Sequence, residues 1–371
     1  MSVNGAVGAA MIGRQARRLG VAGLLAAGGC YAGLEPGQGT EDEGTTGGST
    51  MSDAGPGGGP SGGPGGQTDS GGSDGPGPTT DDGPLDGSSG DGGSSGDGGP
   101  DPSEVEMMCN RWTSDRADMS EGSWSGSVAA CDPGDVSAAG RANALRILNL
   151  YRWMNDLPEV VTDPSRDAMT QACALMMHAN GMLSHSPPMG WTCYSADGAS
   201  AAGSSNISTG PGVMSVDLYM VDPGNPTTLG HRRWILSNSL GPVGLGSTSS
   251  YSCMWVIGGA GAAGHAWTAW PPPGPFPVEA VNPLGFSSLD ETGWSIQSDS
   301  LELGSAAVTI TTSTGEARPV SVTPLAGGYG SSSAISIIPQ GWSTQAGTTY
   351  HVSVEGVGMP IEYDVEVVDC G

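Results

Sequence analysis

Three side chains in the middle of this chain could do chemistry together: His185, Asp222 and His231. Only five histidines occur in the whole sequence. Two of them sit in short distinctive stretches, Leu183-Ser184-His185-Ser186 and Leu229-Gly230-His231-Arg232-Arg233-Trp234-Ile235-Leu236. Two neutral imidazoles and a carboxylate make a ligand set for zinc or another divalent cation, with a fourth position open to water. The same groups could move protons during a hydrolysis. Ser205 adds a hydroxyl, and with a histidine as base and Asp222 as its orienter it would complete a nucleophilic triad. Ser205 is not framed by the G-x-S-x-G turn that usually exposes such a serine. Taken one at a time, each residue also has an ordinary explanation. The histidines can be hydrogen-bonded locally, Asp222 can cap the turn Asp222-Pro223-Gly224-Asn225, and Ser205 can cap a neighbouring element.

The elements that must position these groups are legible in part. Apolar spacing predicts a helix over 137–155, with Leu145, Leu148, Tyr151 and Trp153 among its apolar positions. A second helix over 164–180 has clear punctuation: Asp163 as N-cap, Pro164 in the first turn, Gly181 just past the end. A third is predicted over 212–221. The run 229–236 reads as a buried strand with Gly230-His231 at its mouth. On a strand Arg232 and Arg233 would point to opposite faces, so one at most lines a cleft while the other pairs with Asp217 or Asp222. Further strands near 242–246 and 252–257 complete an alternation that argues a layered α/β domain over 106–267.

Past a proline-rich joint, Trp270-Pro271-Pro272-Pro273-Gly274-Pro275-Phe276-Pro277, the pattern changes. Short runs at 307–311, 320–323, 334–338, 349–355 and 361–367 alternate inward and outward, which predicts a small antiparallel β-sandwich within 268–371. Tyr350, entering its strand, is placed either as a tyrosine corner or as an ordinary core residue.

Residues 1–30 read as an export signal: Arg14, Arg17 and Arg18, then the short apolar run 19–27, then Gly28-Gly29-Cys30. Small residues before Cys30 match a lipobox, which would make Cys30 the lipidated N-terminus of the mature protein. Residues 31–105 hold no basic residue and are built largely of Gly, Ser, Asp, Pro and Thr. Such a stretch buries too little apolar surface to fold and reads as a disordered tether spanning on the order of 50 Å. With Cys30 set aside, Cys109, Cys131, Cys173, Cys193, Cys253 and Cys370 form an even set, as expected for disulfides in an exported protein. Neighbours along the chain suggest Cys109 with Cys131, Cys173 with Cys193 and Cys253 with Cys370, among other pairings. The formal net charge is −26 and none of the 12 basic residues is a lysine. That balance argues against a nucleic-acid partner, which needs a cationic surface.

The ordered motifs Leu183-Ser184-His185-Ser186, Ser205-Asn206-Ile207, Tyr219-x-x-Asp222 and Gly230-His231-Arg232-Arg233-Trp234 resemble those of the CAP superfamily, which includes cysteine-rich secretory proteins, antigen 5 and pathogenesis-related protein 1. The resemblance covers 137–260, and the Gly-His-Arg-Arg-Trp form with the following Trp-Pro-Pro-Pro-Gly stretch is similar to the bacterial branch. It implies an α-β-α sandwich with a central antiparallel sheet and a cleft of two histidines and two acids. His185 and His231 take the histidine places and Asp222 one acidic place. The other acid belongs to a Gly-Glu-Asn motif, and here Ser205 stands where that glutamate is expected.

The resulting expectation is a lipid-anchored protein of the bacterial cell envelope, or a secreted one. It would bind a small ligand or an envelope or extracellular partner in the cleft without catalysis. The competing reading is a metal-assisted, peptidase-like hydrolase using His185, His231 and Asp222. A purely structural role is the third.

Overall fold

The computed structural model describes residues 102–371. The export signal, the lipidation at Cys30 and nearly all of the tether lie outside the described residues. The first helix, α1 (Pro102–Asp115), starts inside the stretch read as tether. Pro102 opens it, Glu104 lies in its first turn, and Met108 and Trp112 are buried along one side.

A three-stranded antiparallel sheet forms the centre of the first half: β1 (Ser205–Ser208), β2 (Gly244–Ser247) and β3 (Ser252–Trp255), in the order β1-β3-β2. Both of its faces are covered. Ile207 and Cys253, paired in register, pack with Cys173, Met176 and Met177 of α3 (Pro164–Asn180) and with Ala201 and Ala202 of α4 (Ala196–Gly203). Leu245 and Met254 face the other way, into a core with Leu148 of α2 (Ala138–Trp153) and Val213 and Tyr219 of α5 (Gly212–Val221). Gly246 lets α3 lie directly on the sheet, since a Cβ there would stand 2.2 Å from the Gln171 backbone nitrogen. Helix α3 has the predicted bounds because its caps are local: Asp163 accepts from the N–H groups of Ser165 and Arg166, and Gly181 turns out of the helix at φ 63°.

The stretch 229–236 is a helix, α6 (Gly230–Ile235), and not the predicted strand. A short apolar run cannot separate the two by periodicity. What decides it lies outside the run: Leu229 adopts φ 43°, and the Asp222 carboxylate accepts from the backbone N–H groups of His231 (3.0 Å) and Arg232 (3.4 Å).

Both arginines of α6 are fully buried, and neither pairs with Asp217 or Asp222. Asp217 instead takes Arg116 at 2.8 and 2.7 Å. Arg232 donates to the Met220 and Val221 carbonyls at the end of α5, and across to the Gly293 carbonyl, Thr292 Oγ1 and Ser295 Oγ. Arg233 donates to the Thr228, Ala326 and Ser331 carbonyls and to Ser331 Oγ.

The second half is a sandwich of two four-stranded sheets. One, in the order β4-β6-β9-β8, contains β4 (Thr268–Trp270), β6 (Trp294–Ser298), β8 (Val320–Pro324) and β9 (Ser333–Pro339). The other, in the order β5-β11-β10-β7, contains β5 (Gly274–Pro277), β7 (Ala307–Thr312), β10 (Thr348–Glu355) and β11 (Ile361–Val368). It is not wholly antiparallel as expected, because β5 runs parallel to β11. The proline-rich joint supplies edge strands β4 and β5, positions that tolerate proline. Strand β6 was not foreseen because all five of its residues are buried. Trp294 and Ile296 enter the apolar core, whereas Ser295 and Gln297 meet α6 through Arg232 and the Arg233 and Leu236 carbonyls. One apolar core runs from Met108 to Val367, through both halves. Tyr350 forms the corner: its hydroxyl accepts from Gln345 N and donates to the Ser343 carbonyl, just upstream.

The six cysteines form three disulfides, with pairings other than those between neighbours: Cys109–Cys370, Cys131–Cys193 and Cys173–Cys253. Each follows tertiary topology, as where α3 lying on β3 brings Cys173 to Cys253. The Cys109–Cys370 bond closes a separation of 261 residues and so restricts the unfolded chain strongly. Replacing both of these half-buried cysteines by serine is expected to lower unfolding free energy by about 2–4 kcal/mol, measured by urea denaturation.

Candidate functional site

His231 occupies the first turn of α6, and its setting is built by the turn before it. Asp222 ends α5 with φ 58°, a left-handed conformation that costs energy for a residue other than glycine. In return its side chain, 0 % exposed, points back at α6. One oxygen, Oδ2, accepts the two backbone N–H groups described above. The other, Oδ1, accepts from His231 Nδ1 at 2.8 Å and from the Asn225 amide at 2.6 Å. This places the imidazole proton on Nδ1 and leaves Nε2 with its lone pair. The Tyr219 ring lies 5.0 Å from the imidazole, and the Tyr219 hydroxyl is held by the Asn206 carbonyl at 3.1 Å. Asn206 in turn donates to the His231 carbonyl at 3.1 Å.

His185 arrives from the loop after α3. Its Nδ1 donates to the Ala202 carbonyl in the last turn of α4 at 2.8 Å, so its Nε2 is also the unprotonated nitrogen. Burial pushes the His185 pKa below the ordinary histidine value, and the nearby His231 pushes it the same way against the hydrogen bond to Ala202. The two imidazoles therefore share one electrostatic environment, at the start of β1 where Ser205 and Asn206 lie. Ser205 is the first residue of β1, not a loop residue, and its buried hydroxyl has no hydrogen-bond partner.

Asp222 and His231 thus meet, with His185 in electrostatic reach of His231, and Asp222 takes the orienting role weighed for it while also capping α6. Asp222 lies behind His231, on the Nδ1 side, with both oxygens taken by protein donors. It orients the ring and caps α6. Among the described residues no group of three or more histidine, cysteine, aspartate or glutamate side chains is disposed to hold a metal ion. The three-ligand set of His185, His231 and Asp222 does not fit, because the carboxylate cannot leave its donors without uncapping the helix. The triad reading fares similarly: Asp222 does orient a histidine, but the partnerless Ser205 hydroxyl touches neither ring.

Three neighbours were missed. Asn206 and Asn225 hold the backbone and the carboxylate; Asn225 lies in a turn that sequence did flag. Tyr329 comes from the sandwich loop between β8 and β9 and lies against Gly230, where a Cβ would stand 2.8 Å from its ring. The run Gly327-Gly328-Tyr329-Gly330 was its only signal. On the other side the His185 loop carries exposed apolar groups, Met182 and Met189.

Comparison of the chain with protein-family models, with curated proteins and with solved structures returns no match.

Two measurements follow. Changing Asp222 to asparagine removes a charged acceptor from four donors and is expected to cost about 2 kcal/mol of stability, read by chemical denaturation. For His185 the folded pKa lies below the unfolded one, so between the two values only the unfolded chain binds the proton. Its stabilising contribution is complete above the unfolded pKa of about 6.5 and is lost as pH falls through that window. Melting temperature should accordingly fall less between about pH 7.5 and about pH 5 in His185→Gln than in the parent chain. Equal slopes would show that His185 is not the group responsible.

Proposed function

We propose that this chain is a CAP-like binding module, held at the bacterial envelope by a lipid on Cys30, whose cleft at His185 and His231 takes a small ligand or an envelope partner without catalysing a reaction. The observation that carries the reading is the position of Asp222. The one carboxylate of the constellation is spent on the His231 ring and on two N–H groups of α6. Ser205 stands where the resemblance calls for a second acid, so no carboxylate remains to draw a proton from water.

Support for the CAP-like part comes from the motif order and from the convergence of all four motifs on one place. Helices on both faces of a three-stranded antiparallel sheet agree with it. Support for an exported location comes from the three disulfides, which persist in oxidising compartments. Among the described residues, no helix is long and apolar enough to cross a membrane. The exposed apolar side chains Met182 and Met189 on the loop that carries His185, and the aromatic Tyr329 beside Gly230, suit a ligand with an apolar surface.

The test compares the parent chain with His185→Ala and His231→Ala. Casein hydrolysis, with and without added zinc, should not exceed that of the two variants. Compounds selected for binding from a library of small molecules with apolar surfaces, neutral hydroxyl- or amide-bearing ones as well as anions, should lose about tenfold in affinity, about 1.4 kcal/mol, in His231→Ala. Zinc-dependent turnover that disappears in both variants would overturn the reading in favour of the hydrolase. Incorporation of a labelled fatty acid should vanish in Cys30→Ser if that cysteine carries the anchor.

A further inference from the structure

Among the described residues, three arginines are buried without a carboxylate partner: Arg152, Arg232 and Arg233. A guanidinium has five N–H donors. In Arg232 and Arg233 all three nitrogens donate to the protein, with two acceptors at each Nη. Arg152 is different. Its Nε donates to the Pro158 carbonyl at 2.8 Å, and its Nη1 to the Ile235 and Ser237 carbonyls at 2.7 and 3.2 Å. Nη2 has no protein acceptor, and it is not among the polar atoms sealed in the core. It keeps two donors on a side chain whose residue is 1 % exposed.

Arg152 also lines a cavity, a pocket of about 250 Å³. With Nε and Nη1 committed to carbonyls, Nη2 is the nitrogen left with donors for that space. The pocket walls are otherwise mostly apolar, from Val160, Val161, Leu240, Pro242 and Ala262. Part of the wall is closely packed backbone, because Gly241 and Gly261 bring two segments into contact. A Cβ on Gly241 would stand 2.5 Å from Ala260 N, and one on Gly261 2.2 Å from the Leu240 carbonyl. Glu159 also borders the pocket, but its Oε1 is bound by Arg111 at 2.8 Å. Burial without a counter-ion lowers the Arg152 pKa to about 10, still well above neutrality, so the group stays charged.

We propose that this pocket binds a small organic carboxylate with a short apolar body, its oxygens accepting from Nη2 of Arg152. The chemistry favours that class over others. A buried cation lacking a partner is costly, and an anion in the pocket would relieve it. Two N–H donors on one nitrogen suit a monoanion among apolar walls, whereas a phosphate dianion needs more donors and would lie beside Glu159. The volume falls just under the range of about 300–1,000 Å³ for drug-sized ligands, so the occupant is small. The site is separate from the histidine cleft: Arg152 is anchored on carbonyls at and beyond the C-terminal end of α6, while His231 sits at its N-terminal end.

The test uses butyrate and benzoate as probes, with inorganic phosphate and chloride at equal ionic strength, in calorimetry and thermal melting of the whole chain. Both carboxylates should bind saturably and raise the melting temperature, and phosphate and chloride should not. Val161 is 63 % exposed and lines the pocket, so Val161→Glu leaves the fold intact while placing a carboxylate at the mouth. It should weaken carboxylate binding by about tenfold or more. Arg152→Met should abolish binding, and if that variant does not fold, Val161→Glu decides alone. His231→Ala should bind the probes within about twofold of the parent chain. Absence of any carboxylate-specific effect, phosphate binding more tightly than carboxylate, undiminished affinity in Val161→Glu, or loss in His231→Ala would each overturn the proposal.

Discussion

The buried arginine pair of α6 is the constraint on which the site depends. A helix of six residues is too short to hold itself, since nucleation outweighs what so few internal hydrogen bonds return. Its place must be imposed from outside. Arg232 and Arg233 impose it by carrying two charges into the interior and neutralising them on backbone carbonyls and hydroxyls from both halves of the protein. Carbonyls at the end of α5 suit this role because the helix leaves them unpaired and its dipole concentrates negative charge there. Asp222 fixes the N-terminal end of α6, and Arg152 and Gln297 take carbonyls at its C-terminal end. The imidazole of His231 is therefore placed by groups spread over much of the folded chain.

That arrangement explains what could be read from sequence and what could not. Helix α3 was legible to the residue because Asp163, Pro164 and Gly181 act within a turn of its ends. Strands β10 and β11 were legible because one face meets the core and the other meets solvent, which imposes alternation. Helix α6 was misread because an apolar run with two arginines carries no local sign of the carboxylate that caps it. Strand β6 was invisible for a related reason: Ser295 and Gln297, polar and so apparently outward, face buried polar groups of α6. The disulfides obey the same rule. An even set of cysteines announces that bonds form, but only tertiary topology chooses Cys173 with Cys253.

The candidate site divides along the same line. His185, Asp222, His231 and Ser205 could be picked out because their motifs keep a fixed order; the fold bonds Asp222 to His231 and brings His185 within electrostatic reach of it. The capping of α6 by Asp222 could not, since it turns on the left-handed conformation at that residue. Tyr329 could not either, being about a hundred residues beyond the motifs it joins, on a loop of the sandwich.

If the proposed ligand binds at the two imidazoles, their geometry limits what it can be. Each ring keeps its proton on Nδ1, one through Asp222 and the other through the Ala202 carbonyl, so two Nε2 lone pairs remain without a carboxylate beside them. An acceptor nitrogen on each ring would rather meet a donor than a second acceptor. A neutral ligand with a hydroxyl or amide N–H meets that need directly. An anion would require a proton to arrive with it, and burial of His185 opposes that uptake. On the proposed binding reading the electrostatics therefore favour a neutral group with a donor. Charge recognition is left to the other end of α6, where Arg152 already holds a cation in place.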